Sequence, residues 1–269
     1  LWSTSGLCIK LVDWNPVAIT GTRSFVAAVL ILAVARGFKI PKTPAGIAAS
    51  VCYALCMLTF VVANKMTTSA NAIFLQYLSP AFVAVLGILF LKEIMTRFDW
   101  AVLLGLLGGM VLFFLDRVDH GAMWGNFSAV VSGMFLALFI VFMRTDSGRS
   151  GGGHTTVDNM IFAHLLAFFM SLPVVMTCEP PDLPSVGGIL YMGLFQMGLA
   201  SVLFPYGVRR LTAVGTSIIT LIEPVLNPVW VFFIIGEVPS KNAVIGGSII
   251  VVLVAVRSVV SIRRIKIPA

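Results

Sequence analysis

The chain alternates between long apolar runs and short polar breaks. Runs at about 1–12, 16–35, 44–64, 69–91, 98–115, 121–143, 156–177, 185–208, 213–236 and 242–262 are set apart by breaks such as Asp13-Trp14-Asn15-Pro16 and Glu179-Pro180-Pro181-Asp182. Most runs approach the roughly 20 residues that an α-helix needs to cross a bilayer. The pattern predicts an all-α integral membrane protein with ten transmembrane helices. The first run is short, only about 18 Å as a helix. Helix 1 is therefore expected to be seen only in its second part, with the true N-terminus missing. A signal peptide is disfavoured, because Lys10 and Asp13 stand where a small-residue cleavage site belongs. The longest break, Arg144 to Asp158, contains Ser147-Gly148-Arg149-Ser150-Gly151-Gly152-Gly153 and reads as a flexible linker between helices 6 and 7.

A repeat organises these runs. Leu78-Ser79-Pro80 opens a hydrophobic stretch that ends at Lys92-Glu93, and Ile222-Glu223-Pro224 opens one that ends at Gly236-Glu237. Twelve residues separate proline from glutamate in both copies. The halves divide at Asp116–His120, giving 1–116 (helices 1–5) and 117–269 (helices 6–10). Five is odd, so the second half enters the membrane upside down. The expected architecture is two inverted five-helix repeats around a central cavity, with a substrate site near the midplane. Gly105, Gly108 and Gly109 in helix 5 and Gly246 and Gly247 in helix 10 support the pairing. They predict close helix packing, as a sliding seam or as static contact.

Composition agrees with lipid as the solvent. Hydrophobic residues make up 59% of the chain and charged residues 11%, against about 25% charged in a soluble domain. The net charge of +7 lies in short loops and reads as a topology signal, not as a nucleic-acid surface. With the N-terminus cytoplasmic, thirteen Lys and Arg fall on that side and three (Lys65, Arg117, Lys241) on the other. Both termini are thus expected in the cytoplasm. Cys8, Cys52, Cys56 and Cys178 have no metal-ligand spacing, and the Cys52/Cys56 pair reads as packing. No intramembrane His-Glu-x-x-His pair or paired aspartates occur, so no metal, cofactor or enzymatic activity is expected.

A few polar groups inside the runs are candidates for function. Pro80 and Pro224 each remove a backbone donor, either to open a cavity with free carbonyls or as plain kinks. Tyr77, one turn before Pro80, is either a ligand platform or a core tyrosine. Glu223 sits near the middle of helix 9, where a charge is expensive. It could pair with Arg23, hold a substrate ammonium, or carry a coupled proton. Asn227, one turn on, would extend that patch. Arg23 pairs with Glu223 or captures a substrate carboxylate. His164 reads as packing or as a proton carrier. Tyr53, Tyr206 and Trp230 are cavity-lining candidates. Trp2, Trp14, Trp100 and Trp124 lie near helix ends, where an aromatic belt accounts for most of them. Glu93 and Glu237 read as interfacial anchors, caps or gate-side groups.

The pattern Pro80…Glu93 then Gly105, and Glu223-Pro224…Glu237 then Gly246, resembles the EamA repeat of the drug/metabolite transporter superfamily. Leu1-Trp2-Ser3 resembles that family's first-helix opening, and Arg23 lies where its second helix often carries arginine. The resemblance implies ten helices, inverted repeats and movement of small metabolites, often outward. Gln76-Tyr77-Leu78-Ser79-Pro80 is similar to the matching stretch of bacterial aromatic amino-acid exporters, which carry tryptophan where this chain has Ser79. By that likeness the substrate lies between helices 1, 3, 4, 6, 8 and 9, and Trp2, Ser3 and Ser79 join Tyr77 as binding candidates. The expected protein is an exporter of amino acids, aromatic ones preferred, by alternating access across the bacterial inner membrane. Its partners are a small molecule and the bilayer, and it acts as a monomer without nucleic acid. The rivals are a sugar-phosphate, nucleotide-sugar or drug carrier, and a channel. Helices 4 and 9 carry no Lys or Arg to meet phosphate.

Overall fold

The computed structural model of the chain describes residues 2–35, 37–92, 95–115, 122–150, 153–208, 213–220, 223, 225–226 and 240–265. Among them there is no strand. A 3-10 turn, Trp2–Thr4, leads into α1, Ser5–Leu11. Then follow α2 (Pro16–Ala35), α3 (Pro44–Met66), α4 (Ser69–Gln76), α5 (Ser79–Leu86) and α6 (Arg97–Phe114). The later helices are α7 (Met123–Ser150), α8 (Gly153–Thr177), α9 (Leu183–Tyr191), α10 (Ala200–Val208), α11 (Ala213–Thr220) and α12 (Lys241–Ile265).

Six spans among the described residues are long and apolar enough to cross a membrane: Pro16–Ala35, Pro44–Met66, Asn71–Leu91, Met123–Ser147, Thr156–Thr177 and Leu183–Phe204. Large apolar side chains such as Leu104, Val111, Phe169, Leu203 and Val252 are more than half exposed. Such an apolar exterior suits lipid and not water.

Two spans are not continuous α-helices. The run with the first proline breaks at Tyr77-Leu78 into α4 and α5, then ends in a π turn, Gly87–Leu91, closed by Lys92 in the left-handed region at φ 54°. Pro80 has no N–H to give the carbonyl of Gln76 four residues back. Gly133 of α7 lies against that carbonyl: a Cβ there would sit 2.7 Å from the Gln76 oxygen. The second broken span passes from α9 through a π segment, Met192–Leu199, into α10.

The region 144–158 corrects its sequence reading as a flexible linker. Helix α7 runs on to Ser150 and α8 begins at Gly153. Buried side chains hold this hairpin to the start of α3. Thr43, which caps α3 at Gly46, donates to Asp146, and Asn159 Nδ2 donates to the same carboxylate at 2.6 Å. Ser50 Oγ donates to the Asn159 carbonyl at 2.8 Å. Glycine and serine content alone signals flexibility; these polar contacts come from distant positions and override it.

The other end of α3 carries a second set of ties. Lys10 Nζ donates to the Thr67 carbonyl at 2.9 Å and Lys65 Nζ to the Val12 carbonyl at 2.6 Å. Thr67 and Asn71 both donate to Asn126 Oδ1 at the start of α7. Between these two ends, α3 packs along α7 and α2 along α8.

Helices α6 and α12 pack together along the glycine seam. A Cβ on Gly246 would lie 2.5 Å from the Gly109 carbonyl and from the Phe113 nitrogen. Gly108 faces open space. Arg257 and Asp99 close one end of this pair with a 2.8 Å ion pair. Asp99 also forms the capping box with Thr96.

Candidate functional site: a polar cleft between the broken spans

The cleft is assembled from mid-span positions. Arg23 is the eighth residue of the twenty in α2, and Tyr53 the tenth of twenty-three in α3. Tyr77 sits at the α4/α5 break and Gln196 in the π segment. With Trp2 and Glu223, these side chains line one cleft of roughly 590 Å³ of empty space, mouth included. That is an upper bound on its occupant.

Small residues bring α2 close to its neighbours. A Cβ on Gly21 would meet Ser171 of α8 at 2.5 Å, and one on Gly193 would meet Val26 at 2.5 Å and the Arg23 carbonyl at 3.0 Å. The base of Arg23 is thus fixed in the bundle. Its side chain is 0% exposed, and none of its three guanidinium nitrogens has a hydrogen-bond partner among the described residues. Burying an ion costs several kcal/mol unless it is paired.

The ion pair between Arg23 and Glu223, one of the sequence-based expectations, is not formed. Glu223 instead accepts a 2.5 Å hydrogen bond from Tyr77 Oη. The broken span turns the tyrosine hydroxyl toward Glu223, while Arg23 is held on α2 by its contacts with the π segment. Glu223 directly precedes Pro224 in sequence.

The rest of the lining is uncharged and includes Trp2, Phe60 and Phe204; Phe139 and His164, outside the lining, pack on it. Trp2 packs on Phe204 at 5.4 Å between ring centroids, Phe204 on Phe139 at 5.6 Å, and Phe139 on Tyr53 at 4.4 Å. His164 meets Tyr53 edge-on at 5.7 Å, and its Nε2 lies 2.9 Å from Ser201 Oγ. His164 is fully buried and its Nδ1 has no partner among the described residues. Gln76 Nε2 donates to Ser132 Oγ at 2.8 Å, and Ser132 donates to the Cys56 carbonyl at 3.0 Å. Gln196 Nε2 donates to the Trp2 carbonyl at 3.4 Å.

The structure therefore brings together Trp2, Arg23, Tyr53, Tyr77 and Glu223 from the expected set. Ser3 and Ser79 are buried but do not line the cleft; Ser5 does. A 3-10 turn at Trp2–Thr4 accounts for the shift from Ser3 to Ser5. Asn71 is bonded to Thr67 and Asn126. Asn227, Pro224, Trp230, Glu93 and Glu237 lie outside the described residues, as does the side chain of Tyr206. Trp2 lines the cleft, whereas Trp100 and Trp124 are exposed as an aromatic belt requires. Gln196 and Phe204 were missed. Their only sequence signal is a lone glutamine and a phenylalanine inside an apolar run.

Residues 1–115 and 123–259 match the model of the EamA-like transporter family. This chain belongs to the EamA-like transporter family. An uncharacterized transporter of Archaeoglobus fulgidus is 26% identical over 266 residues, covering 96% of this chain and 93% of its own length. A solved crystal structure superposes with a TM-score of 0.80 at 18% identity, covering 97% of this chain and 94% of that one. At that identity the likeness concerns fold alone. As an EamA-like protein with several apolar spans, the chain is a multi-pass membrane transporter of the drug/metabolite type.

Proposed function

We propose that this EamA-like transporter exports amino acids, aromatic ones preferred, by alternating access across the bacterial inner membrane, with both termini cytoplasmic. The observation that carries the reading is the cleft itself. It combines one cation, one carboxylate and the aromatic side chains of Trp2, Tyr53, Phe60, Tyr77 and Phe204. An aromatic amino acid offers a matching carboxylate, ammonium and flat apolar ring. The lining contains a single Arg and no Lys among the described residues, which disfavours phosphorylated substrates.

Two inverted repeats, residues 1–116 and 117–269, supply the moving parts in this reading. The two stretches matched to the family support it. So do contacts that a pseudo-dyad would exchange or preserve: α2 with α8, α6 with α12 and α5 with α11. The ties at the two ends of α3 serve as gates. Lys10, Lys65, Thr67 and Asn126 close one side; Thr43, Asp146 and Asn159 close the other. A bistable packing of this kind is how carriers alternate around a fixed site. Tyr77 and Glu223 act on the substrate directly, and Glu223 is the group placed to carry a coupled proton.

The test is a competition panel of amino acids, sugars and organic cations on the purified protein in liposomes. Saturable phenylalanine flux, competed by tyrosine and tryptophan but not by sugars, supports the reading. Flux that rises linearly with concentration identifies a channel. Saturable flux of a sugar or drug in place of amino acids replaces the substrate assignment.

A further inference from the structure

We infer that Arg23 is the anchor for a carboxylate group of the transported molecule, with the indole N–H of Trp2 as a second donor. The inference deepens the proposed function and rests on transport through the same cleft. Arg23 and Trp2 both line the cleft, and neither the guanidinium nitrogens nor Trp2 Nε1 has a partner among the described residues. Both groups are donors only. The acid in the cleft lining, Glu223, accepts from Tyr77 and forms no ion pair with Arg23. Arg23, buried in the cleft wall, therefore holds a fork of N–H groups that no described residue neutralises, and a carboxylate entering the cleft would meet such a fork with two parallel hydrogen bonds.

Among the described residues no other group takes up this charge. Arg23 lies about 10 Å along α2 from its start, and Gly193 packs against its own backbone carbonyl. Gly21 locks the same helix to Ser171. The side chain is 0% exposed, so it does not reach outward to the interface as a snorkelling arginine does. Charge count selects the ligand. One guanidinium beside one carboxylic side chain suits a monoanionic carboxylate; a phosphate dianion would need a second cation. Gln196 Oε1, which lines the cleft and also has no partner among the described residues, is an acceptor for the ammonium of the same molecule.

The test uses a matched series on the full-length purified protein: phenylalanine, phenylalaninamide, 3-phenylpropionate and 2-phenylethylamine. Binding is read from ligand-induced thermal shifts and from competition in liposomes. The wild type is expected to prefer phenylalanine over phenylalaninamide, and 3-phenylpropionate over 2-phenylethylamine, by roughly ten- to a hundred-fold, the scale of hydrogen bonds to a charged group. In Arg23→Gln that preference should shrink to about two-fold or less; Arg23→Lys, which keeps charge without the fork, should fall between. Equal binding of acid and amide by the wild type overturns the anchor, as does a full preference retained in Arg23→Gln. If Arg23→Gln does not fold, the wild-type ratio and Arg23→Lys decide. If none of the four compounds binds, the amino-acid reading fails. The anchor is then judged on lactate, pyruvate and benzoate against their amides, where no acid preference overturns it too.

Discussion

Tyr77 donates its hydroxyl hydrogen to Glu223, a residue 146 positions further along the chain. One partner stands at the break between α4 and α5, and the other stands directly before Pro224. Both groups are part of the cleft lining. The bond is thus a structural tie and a part of the proposed binding surface, and substitutions should separate the two roles.

Tyr77→Phe removes the hydroxyl and keeps the ring. It should lower stability by about 0.5–1.5 kcal/mol, the net worth of a part-buried hydrogen bond, while retaining measurable transport. Tyr77→Ala removes the ring as well and should abolish export while expression persists. Vesicle transport beside a thermal melt of both variants checks this. Unchanged export in Tyr77→Ala would remove the tyrosine from the binding surface.

Glu223→Gln preserves shape and the ability to accept from Tyr77 but cannot exchange a proton. An imposed pH gradient should drive accumulation in wild-type vesicles and not in this variant, which should still exchange substrate down its own gradient. Transport in the wild type that ignores the gradient would end the coupling role.

The α6–α12 seam gives a stability prediction with an internal control. Gly246→Ala places a methyl 2.5 Å from backbone atoms of Gly109 and Phe113. It should cost about 1–3 kcal/mol, as overpacking of a close contact does. Gly108→Ala meets nothing within 4 Å and should be neutral or slightly stabilising. Thermal unfolding in detergent compares the two; equal losses would mean that the seam is not closely packed.

Much of this was legible in the sequence because it depends on local signals. Apolar runs, Pro80 and the glycines of helices 5 and 10 announce spans, a break and a seam, and the structure has helices, a break at Tyr77-Leu78 and the Gly109–Gly246 contact in those places. What sequence could not give is pairing. Asp146 looks like a member of a polar linker and Asn159 like a stray polar residue in the next apolar run, until Thr43, over a hundred residues from Asp146, draws them together. Glu223 and Arg23 look like natural ion partners, since each is a lone charge in an apolar run. Only the turn of the broken span reveals Tyr77 as the partner of Glu223. Gln196 enters the cleft from a π segment that no pattern in the run announces, and Phe204 from the helix α10 that follows it.

The central claim, that one cleft holds the substrate and opens to each side in turn, can be read at a native residue. Cys56 lines the cleft, and its thiol is in no disulfide. With Cys8, Cys52 and Cys178 replaced by alanine, a membrane-impermeant methanethiosulfonate reagent is applied to either face of oriented liposomes with and without phenylalanine. The account predicts modification of Cys56 from both faces and slower modification when phenylalanine is present. Modification from one face alone, at a rate indifferent to every compound the protein transports, would contradict it.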